Sequence, residues 1–401
     1  MIRQIIKNLV EKSIKELQEG KVFPSFLVPE IEVEKPEDKS HGDYATNVTM
    51  VLAKEFKKNP MEIIEDLKIQ ILDLKSEILE KVEASKPGFI NFFLSKEYLQ
   101  GQVGDILKQK DRFGELKIGQ GKKVNVEFIS ANPTGYLTLG NGRGGFCGDV
   151  LANIFKKAGY QVCREYYIND RGEQVIKLGH SVLGDSLAVY QGQYIEELKK
   201  KIKEKDPQKA GEKAAKVILN EMIKPVIRKM GINFDVWFSE NSLYKKKEIE
   251  SVLDFLKSKK MVYEKDGALW FKSTEFADDK DRVLIKASGE ETYFLSDIAY
   301  LKNKLDREFE KLIFFWGADH AGYVVRMKSI VEILGYPKEK ADFIIMQLVK
   351  LYQSGREVRM SKRAGIYITI EELIGEVGLD ATRFFFLTRS AGSHLNFDLA
   401  I

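Results

Sequence analysis

Two polar loops of this 401-residue chain carry side chains whose types and spacing could do chemistry on a phosphorylated ligand. The first, Ser130 to Gly145, places Pro133 and glycines at 135, 140, 142, 144 and 145 between the strand-like KVNVEF and a helix-like run from Phe146. Main-chain amides at a helix N-terminus form a ready anion site. The second, REVRMSKRAG at Arg356 to Gly365, surrounds Met360 and Ser361 with Arg359, Lys362 and Arg363. Alone, such a run is a solvated basic turn. On the same sheet edge as a glycine loop, it reads instead as a loop that closes over a triphosphate. The Lys362 ammonium then meets the charge that develops as pyrophosphate leaves.

The elements that must position these loops follow from the hydrophobic period. Val124, Val126 and Phe128 alternate, whereas Phe146, Val150, Ile154 and Ala158 recur at helical spacing, so Lys122 to Ile168 is a βαβ unit. Leu312 to Trp316 and Phe343 to Tyr352 read as further buried strands, with a helix at Val324 to Leu334 between them. The expectation is an α/β fold on a parallel sheet, whose ligands bind beyond the carboxyl ends of the strands. The lysine- and glutamate-rich run from Tyr194 to Lys229 reads as a solvated helix face, and about 178–288 as an insertion. Residues 1–112 suggest a separate small α+β domain, with helices at its N-terminus, at about Ala45 to Phe56 and after Asn59-Pro60, and a strand at Phe89 to Leu94. Residues 113–401 form the second domain.

Composition narrows the classes. The formal net charge is only +4 with 31% charged residues, so any RNA contact must be local rather than a bulk field. Cys147 and Cys163 are too few for a disulfide framework or a four-cysteine zinc site, and no metal site is expected. The N-terminus lacks the apolar core of a signal peptide and no eighteen apolar residues run together, so a cytoplasmic protein away from membranes is expected. Gly140, Gly142 and Gly145 also spell G-x-G-x-x-G, with Glu165 where a dinucleotide fold would hold a ribose. That reading is disfavoured, because ten residues separate the strand from the first glycine.

VNVEFISANPTG, LTLGNGRGG, YYIND, YFLSDIAY, GADHAGY, VRMSKRAG and EVGLDATRFFFLTRSAGSHLNFDL together resemble the class I arginyl-tRNA synthetases, while HGDYATNV and KPGFINFFL resemble that family's additional N-terminal domain. The resemblance covers nearly the whole chain. It implies a Rossmann-like catalytic domain preceded by a tRNA-contacting α+β domain, the substrates ATP and L-arginine, Mg²⁺ on the phosphates, and tRNA(Arg) as partner of a monomer. Where the family carries His-x-Gly-His, this sequence has Thr138 and Asn141, which donate hydrogen bonds without the option of positive charge. Losing a charged donor would cost on the order of 2–4 kcal/mol of transition-state stabilisation. Arg143 is the candidate to replace it, beside Lys362 as the second lysine of its motif.

The resemblance further implies nucleotide contacts from Pro133, Gly140, Gly142, Asp319, His320, Met360, Ser361 and Lys362, and an arginine site from Glu127, Ser130, Asn132, Tyr293 and Asp297. Spacing i,i+4 sets Tyr293 and Asp297 on one helix face. A guanidinium wants carboxylates in bidentate geometry, and Glu127 between Val126 and Phe128 needs a partner if buried. At Ile401 the family would continue into a helical anticodon-binding domain, which leaves open a fragment or a partner supplied as a separate polypeptide. A synthetase-like binding protein without chemistry is the remaining alternative.

Overall fold

The computed structural model describes residues 2–276, 278–353, 356–358 and 369–398. In it, the change of period after Phe128 becomes the step from a Lys123–Glu127 strand to a Leu139–Lys157 helix, followed by a Gln161–Ile168 strand. Two compact units emerge, Met1–Gly114 and Glu115–Ile401.

In the first unit, the Ile2–Glu19 helix buries Ile6, Val10, Ile14 and Leu17, which recur at spacings of four and three, in one core with Ile63, Ile64, Leu67 and Ile71 of the Pro60–Asp73 helix. Asn59 caps that second helix by accepting from the Met61 amide. Phe89–Leu94 is the middle strand of a three-stranded antiparallel sheet. Ala45 and Thr46 belong to its Tyr44–Thr46 edge strand rather than to a helix. The Ala45 backbone is taken by Glu34 on one side and the Asn91 register on the other, so the helix begins only at Val48.

The second unit is built on five parallel strands in the order Ala341–Met346, Lys311–Gly317, Lys123–Glu127, Gln161–Ile168, Val236–Ser239. Val124, Val126 and Phe128 are fully buried, and Gly148 of the following helix lies against Phe128 so closely that a Cβ there would sit 2.4 Å from the ring. The stretch expected as one insertion is therefore divided: Val236–Ser239 is the edge strand of the main sheet. Helices lie before it, and a separate antiparallel sheet of Val262–Lys265, Ala268–Phe271 and Arg282–Ile285 lies after it. Among those helices, Glu173–Leu183 and Pro207–Val217 cross at glycines, where a Cβ on Gly179 would fall 1.7 Å from the Pro207 carbonyl oxygen. Nor is Phe343 to Tyr352 one strand. At Gln347 the chain leaves the main sheet, its amide donating to Ala391 O, and Val349–Gln353 joins Arg356–Val358 and Leu395–Asp398.

Candidate active site

The carboxyl ends of the first, second and fourth strands in chain order, with the Tyr293–Asp306 helix, enclose a cavity of about 790 Å³. Glu127, Ser130, Asn132, Tyr293 and Asp297 all line it. As the Lys123–Glu127 strand ends, Ile129 and Ser130 take positive φ of 65° and 37°, a left-handed turn that is strained for non-glycine residues. There the Ser130 hydroxyl donates to Glu127 Oε1 at 3.2 Å and accepts from the Tyr167 amide at 3.0 Å. Asn132 donates to Gln174 Oε1 at 2.7 Å.

The partner that a buried Glu127 requires comes from the protein itself. Lys304, fully buried, sets its Nζ 2.5 Å from Glu127 Oε2 and 2.9 Å from Asn125 Oδ1. The Tyr300 hydroxyl lies 2.8 Å from an oxygen of both Glu127 and Glu165, and has one proton to share between them. Glu165 accepts a fork of two 2.8 Å bonds from Arg307. Burial raises its carboxyl pKa, but Lys304 and Arg307 together bring it below the ordinary range. Glu165 is thereby unavailable to a ribose, which removes the geometric basis of the dinucleotide reading. Two carboxylates and two cations cancel, so Glu127 presents the cavity with oxygens rather than a free charge.

Asp297 differs. Among the described residues no cation pairs with it, and its hydrogen bond comes from the Tyr323 hydroxyl at 2.6 Å. Burial pushes its carboxyl up to about 7, against the Tyr323 bond and with help from the nearby Glu127 charge. Tyr293, one turn earlier, is 45% exposed and forms the mouth of the same cavity.

A second cavity of about 370 Å³ shares Ile129, Phe315, Trp316, Gly317 and Asp319 with the first. Thr138, Gly140 and Asn141 line it. Thr138 N-caps the Leu139–Lys157 helix in a capping box: its Oγ1 accepts from the Asn141 amide at 3.4 Å, and Asn141 Oδ1 accepts from the Thr138 amide at 2.9 Å. The two side chains in the histidine positions thus spend their acceptors on the helix end, while Asn141 Nδ2 makes no hydrogen bond among the described residues. Asp319 follows the Lys311–Gly317 strand and borders both cavities, whereas His320 faces only the larger.

Three of the expected site residues lie away from both cavities. Arg143 is fully buried and borders neither cavity. Its guanidinium donates to the carbonyls of Gln347, Ser390 and Ser393 at 2.7–2.9 Å, so it ties down the C-terminal segment and cannot reach a phosphate. Gly142 lies beneath Ile370, where a Cβ would meet Cδ1 at 2.6 Å, and its amide is bonded to Thr138 O. Pro133 is buried and also lines neither cavity. Arg359, Met360, Ser361, Lys362 and Arg363 lie outside the described residues. Sequence reasoning missed Lys304, Arg307, Tyr300 and Tyr323. One signal was present: Lys304 falls on the same stripe as Ile298 and Leu301, a position where lysine requires a buried anion.

Known proteins resemble this chain. Residues 4–94 match the family described as arginyl tRNA synthetase N terminal domain, and residues 102–182 and 186–385 match tRNA synthetases class I (R), catalytic domain. The arginine–tRNA ligase of Anoxybacillus flavithermus is 45% identical over 421 aligned residues, covering 98% of this chain and 76% of that protein. That of Bacillus subtilis is 44% identical, with 99% and 76% covered. The Thermus thermophilus arginyl-tRNA synthetase, at 19% identity and a TM-score of 0.69 over 100% of this chain and 78% of that one, has the same fold.

Proposed function

The chain belongs to the class I arginyl-tRNA synthetases, and from that premise we propose that its two joined cavities activate L-arginine with ATP and pass it to the 3′ end of tRNA(Arg). Such a synthetase is a ligase, and its chemistry is positioning and charge stabilisation without a covalent protein nucleophile. The observation that carries the assignment is Asp297: among the described residues it is a carboxylate without a cation, and it lines a cavity in which the buried Glu127 is already paired with Lys304.

In this reading the substrate guanidinium supplies the cation that Asp297 lacks, with the Glu127 oxygens and the Tyr293 hydroxyl as further acceptors. Ser130 and Asn132 bound the arginine backbone at the mouth shared with the second cavity. There the substrate carboxylate attacks the α-phosphorus of ATP and pyrophosphate leaves. The Asn141 amide, Gly140 and Asp319 border the nucleotide, and Lys362 is assigned to the departing phosphates. Mg²⁺ arrives on ATP as part of the substrate; among the described residues no three His, Cys, Asp or Glu side chains gather to hold it alone. A terminal ribose hydroxyl of tRNA then attacks the arginyl carbonyl and releases AMP. Residues 1–112 would contact the tRNA, and the enzyme would work as a cytoplasmic monomer.

Arginine-dependent ATP–pyrophosphate exchange with tRNA(Arg) present tests the proposal. Exchange should be measurable in the chain and fall at least tenfold in Lys362→Ala. Binding of arginine and ATP without any exchange would instead identify a binding protein whose capping box has replaced the chemistry.

A further inference from the structure

Away from the two cavities, a pocket of about 290 Å³ opens beside the Val236–Ser239 edge strand. Phe234 and Trp237 wall it, Ile227 and Ile232 line it, Asn233 offers an amide, and Lys224 and Arg228 stand at it from the Lys224–Lys229 helix. It has no carboxylate in its lining and shares no residue with the active-site cavities. Trp237 is fixed by stacking on Tyr166, with centroids 4.7 Å apart and 29° between planes, and Lys224 Nζ lies 4.9 Å from its ring centroid.

The cations are available. Within the lysine- and glutamate-rich run, Lys199, Lys201 and Lys213 are met by Glu196, Glu221 and Glu204, and Lys229 by Glu371. Among the described residues Lys224 and Arg228 form no ion pair. Besides the Trp237 ring, the Lys224 ammonium meets the Asn220 side-chain oxygen, at 2.9 Å, among the described residues. The run read from sequence as a solvated helix face therefore includes, among the described residues, two cations without an ion pair beside a rigid indole.

We propose that this pocket binds one nucleotide of an RNA strand, with its base against Trp237 and Phe234 and its phosphate on Lys224 and Arg228. Aromatic walls with unpaired cations and no carboxylate are the composition of single-strand nucleic-acid sites, where stacking tolerates any base and the cations track the backbone. Asn233 can hydrogen-bond a base edge. A free mononucleotide offers the same chemistry; tRNA as the carrier rests on the arginylation reading, whereas binding of an RNA strand does not.

The test measures binding of a fluorescein-labelled hexauridylate and of a tRNA transcript to the full chain by anisotropy, without arginine or ATP. A chain that fails to arginylate therefore still reports on this pocket. Lys224→Glu with Arg228→Glu should lower both affinities at least tenfold near 0.1 M salt. The slope of log affinity against log salt should shrink by about 0.7, for the one phosphate that the two cations hold. Lys213→Glu, on the same helical run and already paired, should change neither. Wild-type binding by the double variant, or an equal loss in Lys213→Glu, would overturn the proposal. So would uridine monophosphate displacing the hexamer as effectively as unlabelled hexamer does, which would assign the pocket to a free nucleotide.

Discussion

Replacing Asp297 by Asn should weaken the arginine site and strengthen the fold at once. With its carboxyl pushed up to about 7 by burial, Asp297 is half protonated in the free protein at neutral pH, whereas arginine stays a cation throughout. Binding selects the ionised carboxylate, so arginine affinity scales with that fraction. It should be nearly flat above pH 8, about halved at pH 7, and about tenfold lower at pH 6. In Asp297→Asn the dependence disappears and affinity falls by the 2–5 kcal/mol typical of losing one member of a buried charge pair, roughly 30- to several thousand-fold. The sign for stability is opposite. A carboxyl whose folded pKa exceeds its unfolded value near 3.8 loses stability as pH rises from about 4 to about 7, because the native state resists the charge. At pH 8 the Asn variant should be more stable by on the order of 2–4 kcal/mol. Arginine titration by calorimetry between pH 6 and 8, with thermal unfolding of the ligand-free variant, reads both. Arginine affinity that does not change between pH 8 and pH 6, or an Asn variant that binds as tightly as the wild type, refutes the assignment of Asp297 as the free counter-charge.

Other perturbations test the scaffold around it. Gly179→Ala should cost 3 kcal/mol or more by urea unfolding, since its Cβ would enter the Pro207 carbonyl and force two helices apart; a loss below 1 kcal/mol would show that the crossing yields easily. Lys304→Met leaves Glu127 buried without its cation and should destabilise by about 3–5 kcal/mol, with much of that recovered in Lys304→Met/Glu127→Gln. A double variant no more stable than the single one would argue against the pair. Arg143→Lys should lower the melting temperature, because one ammonium cannot replace a fork serving three carbonyls. Pyrophosphate exchange per folded molecule should hold; a hundredfold drop in kcat would return Arg143 to the reacting phosphates.

By itself the sequence determined the central βαβ unit and the family. Alternating Val124, Val126 and Phe128, the glycine loop and the helical period beyond it are local signals, and local signals survive without knowledge of the fold. Ordered motifs along the chain likewise pointed to Glu127, Ser130, Asn132, Tyr293 and Asp297 as residues of a single site, and the fold brings these five to one cavity. Which charges remain free in that cavity was decided only in three dimensions. Glu127 and Lys304 are 177 residues apart, and Arg143 meets the Ser393 carbonyl across 250. No spacing rule reaches that far, so the sequence could offer Glu127 as a counter-charge and Arg143 as a phosphate donor. Packing assigned both to the interior. Likewise the edge strand Val236–Ser239 looked like part of an insertion because a four-residue strand is too short to announce its sheet. Its place was fixed by hydrogen bonding to Gln161–Ile168. Burial then made Lys304 obligatory as the partner of Glu127, and among the described residues it left Asp297 with a hydrogen bond from Tyr323 and no cation.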